Sequence, residues 1–536
     1  SRLDASGGGK LEFQQGGTVN GTINAESADF KIGSAYAVPG TLKTNGNTTW
    51  DLGTSNLNLS GGRLYLGGTV VLDQVLTDNE TKFRLNGEDA TVTRGQGFTI
   101  GGLDFDNSTF TLGSATTDLT LNLGHSSDNG TDSVLPPGTL VTQTADLTVV
   151  GGIPSLSSGT TISSTGGTFT FGEGLSISGA TVNLQDSTLA LGGSFSNTGG
   201  SLTLNGTDLE LLSNLSLGSD AAFTVDELRL EDKTLNLQSV SSFTVADLLV
   251  LDNANEQITW DNNTSLVLSG GLKLDTNGEL TWKNPGNLAI GNITLNGGVL
   301  EIGKTTGSQT FGLTSNLTLL ADSEIYFNSG SILNYSGAEV SLGKILTLGG
   351  NGQLQNTNNL NLGAGGKLKL SEISVARVIT SADSSGLDID ADSSITSLSV
   401  SNITPVAIAT DKTLSGSITI SAGSLNLTET GTLASAITMS GGKLDADASM
   451  VISGAVTQAG NAAIDVQDDK TVTFNTGTIN TENYQLTFDG EGTVAFPTNA
   501  SGIVLNHEDG IVKLDGTGTV QAVSYTHLRA HETDSY

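Results

Sequence analysis

The sequence predicts an all-β fold, a parallel β-helix (β-solenoid) with about 19–22 residues in each coil. Three observations predict it: a 19-residue repeat near the C-terminus, short apolar strands separated by glycine-rich corners, and no sustained helical period. A repeat unit this short cannot bury its apolar face alone, so successive copies must stack on one another.

The repeat is clearest in the last third of the chain. Segment 413–423, TLSGSITISAG, returns as 432–442, TLASAITMSGG, and again as 451–461, VISGAVTQAGN, each copy at the same offset from the one before it. Apolar and polar residues alternate within each copy, which is typical of a strand with one buried face. The alternation predicts that Ile437 faces the interior of a coil.

Leu-x-Leu strand pairs carry the same pattern through the first two-thirds of the chain. Such pairs begin at Leu209, Leu228 and Leu266. Leu228 follows Leu209 by one repeat length, and Leu266 follows Leu228 by two repeat lengths. A Phe-Thr-Val segment at Phe223 likewise returns at Phe243. Asn-Gly and Gly-Gly corners between the strands supply the positive φ that tight turns require. A β-sandwich or a tandem of immunoglobulin-like domains would show closely spaced strands without a 19-residue repeat, so we favour the solenoid.

Composition narrows the class of protein. Of 536 residues, 71 are Gly, about 13% against a usual share of roughly 7%. The net charge of −33 disfavours binding to nucleic acid or to anionic membranes. The absence of Cys excludes disulfides, thiol catalysis and thiolate metal sites. No apolar run approaches the ~20 residues of a membrane span, so we expect no membrane insertion of this segment.

We predict three regions along the chain. Residues 1–375 form a solenoid segment with Asn- and Gly-rich corners, and residues 376–523 form a second segment with sharper 19-residue repeats. Residues 524–536 have a different composition and resemble translated sequencing-adapter read-through, so we expect a non-native tail. The chain begins without Met or a signal peptide, and we expect it to be a fragment of a larger protein.

Acidic residues offer one metal-site candidate. Asp388, Asp390 and Asp392 alternate with other residues, which predicts three carboxylates on the outer face of one strand. Gly and Glu are missing from the positions that a calcium-binding EF-hand loop requires. We therefore favour a solvated acidic surface over a metal site.

Two tryptophans offer a binding candidate. Trp260 and Trp282 lie one coil apart, and outward-facing rings could hold a sugar. Ile258 and Leu280 precede them by two positions and are expected to point inward, which predicts that both Trp rings point inward too. We favour core packing over a sugar platform.

Enzymes with a parallel β-helix fold gather carboxylates and basic residues from adjacent coils. A charged corner fits that pattern, and its residues are Asp226, Glu227, Arg229, Glu231, Asp232 and Lys233. We favour an ordinary solvated corner, since no nucleophile, zinc, phosphate-loop or dinucleotide motif is found and no cofactor is expected. Ice binding would need threonines at one register, and Thr109/Thr111 and Thr168/Thr170 look too scattered for it.

These repeats resemble the β-helical passenger and stalk regions of bacterial surface adhesins, of the autotransporter or filamentous-haemagglutinin type. The resemblance rests on Gly-Gly and Asn-Gly corners, Leu-x-Leu strands and an acidic surface without Cys. It implies a structural or adhesive rod outside the cell, displayed or secreted, monomeric, not an enzyme, and in contact with glycans or cell surfaces. A polysaccharide lyase or hydrolase, or a trimeric fibre like a phage tail spike, is the alternative.

Overall fold

The computed structural model consists of β-strands, and the residues that it describes contain no α-helix. Side chains are described between 85 and 495, except at 86–88, 93–98, 101–102, 114–116, 122, 124–134, 218–221, 239, 261–263, 284–287, 304–308, 329, 381–384 and 476–483. At 1–84 and 496–521 the structure describes strands and their pairing alone. The part of the chain that the structure describes has no helix that could span a lipid bilayer.

The chain divides into two compact units, residues 1–249 with 255–270, and residues 250–254 with 271–536. As far as residue 270 the strands, β1 to β34 in chain order, are Arg2–Ser6, Lys10–Phe13, Gly17–Thr18, Thr22–Glu26, Asp29–Ile32, Tyr36–Ala37, Thr41–Asn45, Thr48–Asp51, Leu57–Asn58, Arg63–Leu72, Thr77–Thr93, Phe98–Asp104, Thr109–Leu112, Leu119–Asn122, Val134–Leu135, Gly138–Gln143, Leu147–Val150, Ser155–Leu156, Thr160–Ser164, Thr168–Phe171, Gly174–Ser178, Thr181–Gln185, Thr188–Leu191, Ser194–Thr198, Ser201–Asn205, Asp208–Leu211, Leu215–Gly218, Ala222–Val225, Leu228–Arg229, Thr234–Asn236, Ser242–Val245, Leu249–Leu251, Gln257–Thr259 and Ser265–Leu268.

From residue 271 onward the strands, β35 to β67, are Leu272–Asp275, Glu279–Trp282, Leu288–Ile290, Ile293–Asn296, Val299–Ile302, Thr310–Leu313, Leu317–Ala321, Ser323–Phe327, Ile332–Tyr335, Val340–Leu342, Ile345–Gly350, Gly352–Asn356, Leu360–Leu362, Lys367–Leu370, Ile373–Thr380, Gly386–Ile389, Ser393–Val400, Ile403–Ile408, Thr413–Ile420, Ser424–Leu427, Thr432–Leu433, Ala436–Met439, Lys443–Ala446, Met450–Ile452, Val456–Gln458, Ala462–Val466, Thr471–Phe474, Ile479–Asn480, Leu486–Asp489, Thr493–Ala495, Leu505–Asn506, Val512–Leu514 and Thr519–Gln521.

In the first unit, the coils between residues 138 and 218 each supply one strand to each of three parallel stacks. The coil made of β19, β20 and β21 pairs with the next coil, β22, β23 and β24, strand by strand. Thr161 pairs with Thr181 and Thr181 with Ser201, so two successive coils have the same length here. The predicted parallel β-solenoid is confirmed.

In the second unit, two of the three sides are joined where long strands run across a bend. Strand β49 pairs with both β46 and β47 of the preceding coil, and β53 pairs with both β55 and β56 of the following coil. The third side is a separate stack that includes β48, β50, β52 and β54. Pairing continues across the predicted boundary at 375/376, since Val375 pairs with Leu354 and Ile395; that division stays a prediction.

The predicted 19-residue register is confirmed residue by residue. Thr413 pairs with Thr432, and Ile418 pairs with Ile437, which pairs in turn with Val456. These inward-facing side chains form a continuous column, and Ile418, Ile437 and Val456 are all buried. Burying each such aliphatic side chain contributes about 1.5–3 kcal/mol.

One predicted alignment is wrong. Leu209 does pair with Leu228, and Phe223 pairs with Phe243, but Leu266 continues the Phe223 column instead of the Leu209 column. The error arises because different sides of a coil carry the same alternating pattern. A separation of two repeat lengths can therefore match a strand on the wrong side.

Corners depend on residues with positive φ, as the Asn-Gly pairs predict. Gly206 has φ of 58° and Asn277 has φ of 71°, while the amide of Gly278 donates to the carbonyl of Asp275 over 2.8 Å. Gly416 has φ of 127°, and a Cβ built there would lie 1.7 Å from the carbonyl oxygen of Ile395. A side chain at 416 would thus collide with the neighbouring coil.

Replacing Ile437 by Asp places a carboxylate in the buried column. We expect it to destabilise the surrounding coils by at least ~3 kcal/mol, because an isolated charge loses its hydration there. Thermal unfolding and limited proteolysis measure the effect. Ala436→Asp is the matched control, since Ala436 lies in the same strand and is exposed; equal stability of the two variants would contradict the register.

Replacing Gly416 by Ala should cost more than about 1 kcal/mol, because both its φ and the close carbonyl oppose a side chain. The control is Gly343→Ala, where the nearest atom to a new Cβ is 3.9 Å away. Unfolding in denaturant compares them. If Gly416→Ala is as stable as Gly343→Ala, the close approach of the two coils at this corner is not real.

Candidate functional site

Both candidate tryptophans lie in the core. Trp260 is 6% exposed and Trp282 is 1% exposed, so the predicted inward orientation is confirmed. The ring of Trp282 packs edge-on against Phe311, with centroids 5.2 Å apart. Trp260 belongs to the first unit and Trp282 to the second. Because both rings are buried, neither presents a face on which a sugar could stack.

The three candidate aspartates do not share one strand face. Strand β50 ends at Ile389, so Asp388 lies on the strand while Asp390 and Asp392 lie in the corner after it. Asp388 accepts a salt bridge from Lys367 at 2.6 Å, and Asp392 accepts a hydrogen bond from the Thr413 amide at 2.8 Å. The prediction of one shared face was wrong because Asp residues continue to alternate with other residues beyond Ile389, where the strand ends. Within the described residues, no three His, Cys, Asp or Glu side chains are grouped to hold a metal ion.

The charged corner of the first unit is organised around Arg229. Its Nη2 lies 2.8 Å from Oε2 of Glu227 and 3.1 Å from Oδ2 of Asp208. Asp208 comes from the preceding coil, because Leu209 pairs with Leu228. Lys233 instead donates to the backbone carbonyl of Glu231 over 2.6 Å. The sequence cluster thus omitted Asp208, which the repeat offset could have identified.

The two carboxylates on Arg229 differ in their acidity. The hydrogen bond from Arg229 is the main cause that lowers the pKa of Glu227 below its ordinary range. Burial raises the pKa of Asp208, and it outweighs the attraction of Arg229. The difference follows from geometry, since Asp208 is farther from the guanidinium and less exposed, at 24% against 42% for Glu227. The hydrogen bond to Glu227 is the main cause that raises the pKa of Arg229.

Basic side chains bridge carboxylates in the second unit as well. Asp445 and Asp465 pair in register on adjacent coils, and the ammonium of Lys443 lies 2.9 Å from the first and 2.7 Å from the second. Burial opposes the charge on Lys443, but its hydrogen bonds to Asp465 and Asp445 outweigh burial and raise its pKa. Its charge offsets the repulsion between two stacked carboxylates.

Two polar clefts lie on the second unit. The serine cleft, of about 550 Å³, follows the register Gln353, Ser374, Ser394 and Ser415 over four coils. Within it, the Ser394 hydroxyl donates to the Ser374 hydroxyl over 2.8 Å. Those hydroxyls largely satisfy one another or the backbone.

The second cleft, of about 890 Å³, surrounds Arg377, and we call it the Arg377 cleft; it is lined by Asn334, Tyr335, Ser336, Gln355, Asn356, Thr357, Asn359, Ala376, Arg377, Thr396 and Ser397. Strand β49 changes phase here: Val375 and Val378 point inward, and the two residues between them face outward. Arg377 is exposed as a result. Arg377 was not among the residues predicted from the sequence, although the three-residue spacing of Val375 and Val378 indicates the bend.

Asn356 fixes the backbone at this point. Its side chain is 3% exposed, and its Oδ1 accepts from the Arg377 amide at 3.2 Å while its Nδ2 donates to the Arg377 carbonyl over 2.7 Å. The same Nδ2 donates to the carbonyl of Asn358. The base of the Arg377 side chain is therefore held in place by a buried amide.

Threonines do align on one side of the first unit. Thr109 pairs with Thr139, Thr139 with Thr161, and Thr161 with Thr181. This column was not predicted from the sequence because the number of residues between paired threonines differs from one pair to the next and is largest for the first pair. Val141 interrupts the parallel column that runs from Thr111 to Ser163. A regular two-column threonine array, which ice binding would need, is not formed there.

Glu227 gives a pH-dependent test of the Arg229 corner. Because its pKa is lowered in the folded chain, its stabilising effect is present above its ordinary value of 4.5 and is lost as pH falls. Glu227→Gln should lower stability at pH 7 by at most about 1 kcal/mol, since the pair is largely exposed. Thermal unfolding at pH 7 and pH 3.5 should show this difference shrinking in acid.

The control is Glu231→Gln, which removes an exposed carboxylate of the same corner. It should change stability less at pH 7 than Glu227→Gln does. Equal effects of the two variants would contradict the assigned pairing. Asp208 contributes with the opposite sign, because its raised pKa favours the folded state in acid.

Comparison of this chain with protein-family models, with curated proteins and with solved structures finds no match in any of the three.

Proposed function

We propose that this chain is a structural and adhesive segment of a larger bacterial protein that is secreted or displayed on the cell surface. The observation that carries the proposal is the repeated coil-on-coil register, as in the column Ile418, Ile437 and Val456. A solenoid of this kind grows by adding coils, and each coil depends mainly on its neighbours. It would serve as a stiff support whose flanks contact glycans or other cell surfaces, without catalysis or a cofactor.

The distribution of side chains supports this proposal. Inward positions carry Leu, Ile, Val and Phe, while alternate positions of the same strands carry Thr, Ser, Asn and Asp. Outward residues can vary without disturbing the core, which suits a surface that contacts changing partners. The net charge of −33 would keep a long β-sheet protein soluble and limit edge-to-edge aggregation.

The Arg229 corner favours a second candidate function, a polysaccharide lyase or hydrolase. It places one carboxyl with a raised pKa and one with a lowered pKa on a shared guanidinium. Acid–base catalysis uses carboxyl groups whose pKa values are pushed apart in this way. Both groups are already engaged by Arg229 at 2.8 and 3.1 Å, so we rank this function second.

The full chain should behave as an elongated monomer in small-angle scattering and light scattering, and beads coated with it should adhere to cells or glycan surfaces. A detergent-resistant trimer would instead indicate a fibre like a tail spike. Release of ultraviolet-absorbing products from uronate polymers, lost in Arg229→Gln, would indicate a lyase. A compact monomer without adhesion would overturn the proposal.

A further inference from the structure

We propose that the Arg377 cleft binds an oligosaccharide that carries one carboxylate-bearing sugar among neutral sugars. This inference rests on the proposed adhesive function and names the class of its ligand. Arg377 would bind the carboxylate, and the amide and hydroxyl groups around it would bind the sugar hydroxyls.

The guanidinium of Arg377 is available to a ligand. Within the described residues, Arg377 forms hydrogen bonds through its backbone amide and carbonyl alone, and its side chain has no ion-pair partner. Arg229, Lys367 and Lys443 are by contrast each paired with a carboxylate. A planar guanidinium can donate two parallel hydrogen bonds to one carboxylate.

The site is fixed before any ligand arrives. Asn356 holds both the amide and the carbonyl of Arg377, so the backbone beneath the guanidinium is already ordered. Strand register places Asn334 beside Gln355, and Arg377 beside Ser397, on successive coils. Binding consequently costs the ordering of one arginine side chain and little rearrangement of the backbone.

The lining matches a ligand rich in hydroxyl groups. Asn334, Gln355 and Asn359 contribute amides, and Thr396 and Ser397 contribute hydroxyls. These groups both donate and accept hydrogen bonds, as sugar hydroxyls do. The lining comes from four successive coils, which span about 14 Å at a spacing of ~4.8 Å. That length accommodates a short oligosaccharide lying along the coil axis.

The distribution of charge on the chain favours a ligand with a single carboxylate over a polyanion. None of the residues described as lining the cleft is Asp or Glu, and Arg377 is the charged residue among them, so the cleft itself carries a positive charge. Beyond about 8 Å, charges are largely screened at physiological salt. A polymer with a carboxylate on every sugar would extend past the cleft and meet a chain with 55 acidic and 22 basic residues. A single carboxylate avoids that repulsion.

The experiment uses pairs of immobilised trisaccharides of varied linkage, each ending in one glucuronic acid or in the same sugar with its carboxyl reduced to the alcohol. The full chain should prefer the acid member of at least one pair. Arg377→Gln should weaken that binding on the order of tenfold or more, and Arg377→Lys should fall between, because an ammonium lacks the fork of two donors. A polyuronate should bind more weakly than the monoacidic ligand.

Lys344→Gln is the charge-matched control, because Lys344 is exposed on the same unit and outside the cleft. It should change binding by less than about twofold, and all variants should keep the thermal stability of the parent chain. Equal binding of the acid and reduced sugars, or equal loss in the Lys344 and Arg377 variants, would overturn the inference. If adhesion to cells survives Arg377→Gln, the adhesive function stands without this site; if the parent chain does not adhere at all, the proposed function itself fails.

Discussion

Parallel stacking in register is the constraint on which the rest of this molecule depends. Each residue of a coil lies about 4.8 Å from its counterpart on the next coil, so similar side chains form columns along the stack. Apolar columns such as Phe169, Leu189 and Leu209 close the interior without long-range chain crossings. The same geometry limits the corners, because a Cβ at Gly416 would meet a carbonyl of its neighbouring coil.

The constraint also governs the charges. Identical acidic residues on adjacent coils come close together, and like charges that face each other across paired strands are destabilising. Lys443 lies between Asp445 and Asp465, and Arg229 joins Glu227 to Asp208 of the preceding coil. These two basic residues therefore connect adjacent coils, whereas the guanidinium of Arg377 has no ion-pair partner within the described residues.

The sequence predicted the fold well because its evidence is periodic. The offset that aligns Ile418 with Ile437 is the same offset that the backbone uses. Prediction from the sequence failed at two places where the period is not informative. Leu266 lies two repeat lengths after Leu228 but belongs to a different side of the coil, the side of Phe243. After Ile389 the alternation of residues continues although the strand has ended. The candidate sites were harder to predict from the sequence. The position of Arg377 is fixed by its contact with the buried Asn356 of the preceding coil, which the sequence alone does not show. The pairing of Asp208 with Arg229 can be predicted only once the coil that precedes Arg229 is known.

The change of phase at the bend of the long strands has a consequence for how this surface can diversify. Residues 376–377 and 396–397 are pairs of neighbours on consecutive coils, and both members of each pair lie outside the core. Elsewhere on a strand, a mutation reaches solvent at every second position only. At this bend two adjacent residues can be substituted together while the buried residues on either side of them are unchanged. The binding surface can therefore change by two neighbouring residues on one coil without a change in the core.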